Sequence, residues 1–131
     1  MIVDSSALIA ILRQEPEADI LADAIDGTQI VQISAGTMFE ASMVADRIQD
    51  PGFGQRFDAL CERIGMVVVP FDERQARIAR DAYREFGKGS GHKARLNFGD
   101  CFAYALSRVT GEPLLYKGKD FQHTDVASAL A

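Results

Sequence analysis

Four acidic residues in this chain are candidates to share a metal ion. Asp4 follows the apolar start Met1-Ile2-Val3, and Glu40 lies in the apolar segment Met38 to Ala45. Asp100 closes Asn97-Phe98-Gly99-Asp100, and Asp120 stands in Lys117-Gly118-Lys119-Asp120-Phe121. Carboxylates are hard oxygen donors, and magnesium binds through one or two of them plus waters. Such a centre would activate water and neutralise charge on a phosphate during hydrolysis; the sequence leaves open whether one ion or two would act. Carboxylates gathered without a metal repel one another, so at least one should have a raised pKa, and metal binding should stabilise the fold.

Each acid also has a plain structural role. Asp4 is placed to cap a helix, and Asp100 stands where a capping box begun by Asn97 puts an acid. Asp120 is a common turn residue. Glu40 is harder to explain in this way, because its neighbours Met38, Phe39, Ala41, Met43, Val44 and Ala45 predict a helix buried on most sides. A buried, unpaired carboxylate costs several kcal/mol, so Glu40 needs a metal, a donor or an arginine partner.

Other chemistries find less support. Cys61 and Cys101 have no C-x-x-C spacing and fall in helical patterns, so they read as buried thiols in a reducing compartment. His92 and His123 share no motif, and no G-x-S-x-G, P-loop or dinucleotide fingerprint is present. A phosphatase with Asp4 as nucleophile would want an acid two residues later, where Ser6 stands. No apolar run reaches the roughly 18 residues that span a bilayer, and the acidic start lacks the basic region of an export signal. A cytoplasmic protein without membrane contact is expected.

The acids must be positioned by short strands alternating with helices. Ile2-Val3 predicts a strand, and Ala7, Leu8, Ile11 and Leu12 then mark a helix. Gln14-Glu15-Pro16 breaks it before a second helical stripe at Ile20, Leu21, Ala24 and Ile25. Ile30 to Ile33 predicts a strand, with Ser34 capping a helix to about Gln49. A helix through Phe57, Leu60 and Ile64 precedes Met66 to Val69, a run of buried parallel-strand type. Pro70-Phe71-Asp72 starts a helix that carries Ala76, Ala79, Tyr83 and Phe86 on one face and Arg74, Arg77, Arg80 and Arg84 on another. Lys88 to Arg95 reads as a mobile basic loop, Asn97 opens a further helix, and Leu114 to Tyr116 predicts a strand. The tail from Asp125 to Ala131 reads as a strand or a terminal turn. This alternation predicts an α/β fold, a single domain over residues 1–131 with a mostly parallel central sheet and helices on both faces. Sites in such sheets form beyond the carboxyl ends of the strands.

Net charge is −5, but it is unevenly spread. Residues 1–73 carry −9, residues 74–119 carry +6 and the last twelve carry −2. The basic segment surrounds Asp100, so Lys88, Lys93 and Arg95, with the arginine face and with Lys117 and Lys119, are candidate nucleic-acid phosphate contacts.

Three segments together, Ile2-Val3-Asp4-Ser5-Ser6-Ala7-Leu8, Leu96 to Ala105 and Pro113 to Phe121, resemble PIN-domain proteins, most nearly the VapC-type toxins of bacterial toxin-antitoxin pairs. The likeness runs the length of the chain. It implies a Rossmann-like three-layer α/β/α fold, magnesium- or manganese-dependent cleavage of RNA, and inhibition by a small cognate antitoxin. Carried over by position, Asp4, Glu40, Asp100 and the more variable Asp120 match the family acids, with Asp4 and Asp100 as principal metal ligands, and Ser6 matches the hydroxyl residue that supports the first acid. Ser5 stands where Thr is usual, and the Lys88 to Arg95 loop is not a shared motif. A homodimer is expected, and the helices around Leu8, Leu12, Ile20 and Leu21 are the expected antitoxin surface. A non-catalytic member that only binds RNA or antitoxin is the alternative.

Overall fold

A computed structural model describes residues 1–130. The chain runs β1 (Ile2–Val3), α1 (Ser5–Leu12), α2 (Ala18–Asp26), β2 (Gln32–Ser34), α3 (Ala35–Arg47), α4 (Phe53–Ile64), β3 (Val67–Val69), α5 (Glu73–Phe86), α6 (Asp100–Thr110) and β4 (Leu114–Leu115). Side chains already present in the sequence set several of these boundaries. Ser34 caps α3 through the Gly36 N–H at 3.3 Å, and Asp72 caps α5 through the Gln75 N–H at 2.9 Å. Gly65 and Gly111 end α4 and α6 with positive φ, a conformation that costs glycine little.

The strands form one parallel sheet in the order β3-β2-β1-β4. Alternation within strands sorts the core into two halves. Val3 and Leu115 pack with Leu8, Leu21, Phe57 and Leu60 under α1 to α4, whereas Ile2 and Leu114 pack with Ala82, Phe86 and Leu106 under α5 and α6. The result is the expected α/β/α arrangement. Three strands are laid down on one side of the sheet before the chain crosses to place β4 beside β1. The strand order therefore reverses between β1 and β4, and in open α/β sheets that is where a crevice forms beyond the carboxyl ends. The Asp4 N–H donates to Leu115 O at 2.9 Å, which puts Asp4 at that reversal.

Several expectations are corrected. β3 is an edge strand with Val67 and Val68 about half exposed, because an apolar run cannot by itself distinguish a central strand from an edge. Helix α3 is not buried on most sides, since Phe39, Met43 and Val44 reach the surface. The Lys88 to Arg95 loop is closed at its base by Lys88 N–H to Leu96 O at 2.7 Å and Leu96 N–H to Phe86 O at 2.8 Å. Inside it Ala94 is buried, and His92 meets the Phe86 ring edge-on at 4.9 Å. The tail adds a bridge from Ser128 to Leu114 at the β4 edge, and Asp125 accepts a 2.5 Å hydrogen bond from the Tyr104 hydroxyl. Ala131 lies outside the described residues. Of the expected antitoxin surface, Leu8 and Leu21 are wholly buried core residues, while Ile20 is exposed.

These burials predict opposite outcomes for two substitutions in the same half of the molecule. Phe57→Ala should lower stability in urea by about 3–5 kcal/mol. Ile20→Ala should change it by less than about 0.5 kcal/mol. Equal losses would contradict the core described above.

Candidate metal centre

Asp4 leaves β1 in extended conformation and caps α1, so both uses of this residue coexist. Its Oδ2 accepts from the Ser6 hydroxyl at 2.6 Å and the Ser6 N–H at 3.1 Å. The Ser6 oxygen in turn accepts the Lys117 N–H at 3.0 Å, which ties the segment after β4 to the same point. Oδ1 of Asp4 is buried and has no partner. Burial pushes the Asp4 carboxyl up to about 6; the Ser6 hydrogen bonds oppose the rise, and Glu40 adds to it.

Asp100 begins α6 and completes a reciprocal cap with Asn97. The Asn97 N–H donates to Asp100 Oδ2, and the Asp100 N–H donates to Asn97 Oδ1, both at 2.9 Å. The cap fixes the carboxylate without occupying both its oxygens. Burial pushes Asp100 up to about 8, against the Asn97 hydrogen bond, and the neighbouring Asp4 and Asp120 carboxylates raise it further. Asp120, on the exposed loop after β4, comes within proton-sharing reach of Asp100.

Glu40 is half-buried on α3 and receives the Ser5 hydroxyl on Oε1 at 3.0 Å. Its other oxygen lies over Gly99, where an added methyl group would collide with the carboxylate. Among the described residues Glu40 has no ion pair, so a serine hydroxyl takes the place of the arginine partner considered above. Ser5 and Gly99 were not singled out from the sequence for this role. The available signal was the glycine immediately before Asp100, a residue type that allows close approach of another group.

The crevice thus gathers Asp4, Asp100 and Asp120, with Glu40 reaching it through Asp4. Among the described residues no three such side chains form a ready-made cage for an ion. An unpartnered, buried carboxylate oxygen, all-oxygen donors and carboxyls driven toward the neutral form nevertheless fit a divalent cation that keeps part of its water. The thiols offer no rival nucleophile, since burial pushes both Cys61 and Cys101 up to about 11.

Lys88, Lys93 and Arg95 are exposed and, like Arg74, Arg80 and Lys119, make no ion pair among the described residues. The loop that carries them leads directly into Asn97 and Asp100. Lys117 behaves differently from its expected role as a phosphate contact. Its ammonium is held by Glu15 and by Glu17 at 3.4 Å, and the bond to Glu15 raises its pKa.

The PIN domain family model matches residues 1–127, and the chain belongs to that family. Ribonuclease VapC28 of Mycobacterium tuberculosis is 52% identical over 130 residues, covering 99% of this chain and 98% of its own length. Ribonuclease VapC42 of the same organism is 44% identical over 129 residues, covering 98% of each. Among solved structures, Mycobacterium tuberculosis VapC20, described as a sarcin-ricin loop cleaving toxin, superposes with a TM-score of 0.75 at 15% identity over 96% of this chain and 95% of its own. The FitAcB structure from Neisseria gonorrhoeae gives 0.68 at 20% identity over 98% and 96%. These superpositions show the shared fold.

The raised carboxyls predict how the metal-free protein responds to pH. Both bind their protons more tightly when folded than at the ordinary value of 3.8, so stability falls as pH rises through about 4 to 8. For Asp4 alone the loss is on the order of 3 kcal/mol. In EDTA, Tm should be higher at pH 5 than at pH 8, and magnesium should raise it more at pH 8. Calorimetry showing the same magnesium effect at both values would count against strain in this crevice.

Proposed function

We propose that this chain is a magnesium-dependent ribonuclease, the toxin of a toxin-antitoxin pair, acting as one cytoplasmic domain. The observation that carries this reading is the pair of buried, mutually repelling carboxylates Asp4 and Asp100 at the strand-order reversal, with an oxygen of Asp4 unpartnered. Membership of the PIN family and the ribonuclease names of relatives at 44–52% identity support it. Among the described residues no helix is long and apolar enough to cross a membrane.

Asp4 and Asp100 would hold magnesium, with manganese as a substitute. The ion supplies Lewis acidity toward water and charge neutralisation for the phosphate. Ser6 keeps Asp4 in one orientation by donating to Oδ2, and the Asn97 cap does the same for Asp100. Glu40, fixed by Ser5 and Gly99, and Asp120, at the exposed rim, orient water and take up protons at their carboxylate oxygens. Lys88, Lys93 and Arg95 hold the RNA backbone beside the acids, which lets an acidic protein bind a polyanion. A cognate antitoxin would block the crevice by placing a cation among the carboxylates, in competition with the metal. The same reading takes the protein as a homodimer, supported by the exposed apolar residues Phe39, Met43 and Val44 on α3.

Purified protein should cleave structured RNA in magnesium and not in excess EDTA. Asp4→Asn and Asp100→Asn should each slow cleavage about a hundredfold or more while the fold survives. Expression in a bacterial host should arrest growth, and either Asp4→Asn or the adjacent small partner gene should relieve it. Cleavage that is indifferent to chelator and to both substitutions would end the metal reading and favour a non-catalytic binding module.

Neutralising Lys88, Lys93 and Arg95 together should weaken RNA binding and lower its salt dependence by close to three phosphate contacts, a change of about 2–3 in the log-log slope. An unchanged slope would leave the loop as ordinary solvated surface.

A further inference from the structure

The segment after β4 is fastened at Lys117, and it is fastened twice. The Lys117 backbone N–H donates to the Ser6 hydroxyl oxygen at 3.0 Å, and that hydroxyl donates to Asp4 Oδ2 at 2.6 Å. The Lys117 ammonium is held by Glu15 and faces Glu17 at 3.4 Å. Beyond this point the chain is loosely tied. Gly118, Lys119 and Asp120 are exposed, and among the described residues none of them takes part in a backbone hydrogen bond. Fixation resumes at Phe121, whose buried ring meets Tyr116 at 5.1 Å. Asp120 therefore hangs on a short span whose first anchor is Lys117.

The turn between α1 and α2 is shaped to present both acids. Gln14 has φ of +53°, a left-handed conformation that is uncommon for a residue with a side chain, and Pro16 fixes the backbone between Glu15 and Glu17. Oε2 of Glu17 is shut off from solvent without a hydrogen-bond donor, so among the described residues the Lys117 ammonium is the cation that answers it. Lys117 is 36% exposed and Glu17 46% exposed, and pairs so open to water add little to stability. What the cluster supplies is geometry: it fixes where the Lys117 backbone lies against Ser6.

We propose that Glu15, Glu17 and Lys117 form a positioning clamp for the reaction, acting through Ser6 and the span 117–120 to hold Asp4 and Asp120 in place relative to each other. The proposal rests on the ribonuclease reading and deepens it, because it gives the α1–α2 turn a part in the chemistry without contact to RNA.

The test compares the wild-type chain with Lys117→Met, with Lys117→Arg and with Glu15→Gln and Glu17→Gln together. Amide exchange followed by NMR in EDTA requires no reaction. The amide at position 117 should exchange about tenfold or more faster in Lys117→Met and in the glutamine pair, while the buried α6 residues Ala105 and Leu106 keep wild-type protection. Cleavage of structured RNA in magnesium should lose about ten- to hundredfold in kcat with KM unchanged, and Lys117→Arg should bring both readouts back toward wild type. Lys117→Met added to the glutamine pair should cost no more than either change alone, since the three side chains act as one unit. If Lys117 instead held RNA phosphate, Lys117→Met would raise KM and the glutamine pair, which frees the ammonium, would lower it; that result overturns the clamp. So does wild-type kcat in Lys117→Met. Equal loss of protection at Ala105, Leu106 and position 117 also overturns it, because the ion pairs would then be ordinary supports of the fold. If wild-type protein leaves RNA uncleaved while the position-117 amide responds as expected, the ribonuclease reading fails and the clamp on Ser6 stands. If RNA is cleaved and neither readout responds, only the clamp fails.

Discussion

Asp4 carries a carboxylate into the end of the sheet, where one oxygen has two donors from Ser6 and the other has none. A negative charge in that position is costly because water no longer solvates it and Glu40 and Asp100 repel it. The surrounding structure keeps these carboxyl groups together and, among the described residues, brings no cation to them. Ser6 is held by the backbone of Lys117, Asp100 is locked by Asn97, and Glu40 is confined between Ser5 and Gly99. Each arrangement fixes a carboxylate while leaving it short of cations, which suits a site that stores affinity for an ion.

Charge is divided in the opposite sense around this point. The carboxylates occupy the crevice, and the unpaired basic side chains occupy the loop and helix that lead to it. Had the same arginines and lysines reached the acids, they would have neutralised them. Lys117 shows how this is avoided: its backbone serves Ser6 while its ammonium is turned away to Glu15 and Glu17. The one lysine closest in sequence to β4 therefore braces the α1–α2 turn and leaves Asp4 uncompensated.

Much of this was readable in the sequence because local rules decide it. Asp4, Ser34 and Asp72 cap helices wherever they occur at a strand-to-helix step, and short apolar runs separated by helical stripes define parallel α/β layers. The acids were legible as types and positions. What failed to show depends on contacts distant in sequence. Met66 to Val69 has the composition of a central strand, yet strand order places β3 at an edge. Glu40 was open to a metal, a donor or an arginine, and the donor that meets it, Ser5, lies 35 residues away in the chain. The loop at Lys88 to Arg95 has the composition of an open segment, but its base is closed by Leu96. Residue patterns report periodicity well and report neighbours across the sheet poorly.

The pairing of β1 with β4 has a further consequence for the order of events during synthesis. Ile2 lies opposite Leu114 and Val3 opposite Leu115, so the first strand gains its second neighbour only when residues 114 and 115 have been made. A nascent chain emerging at about 5–20 residues per second can form α1 through α4 with β2 and β3 well before that. Asp100 and Asp120 arrive last, with the strand that brings them to Asp4. Closing so long a loop is slow in parallel sheets. Asp4 therefore waits for these acidic neighbours until more than a hundred residues of chain separate it from the point of synthesis.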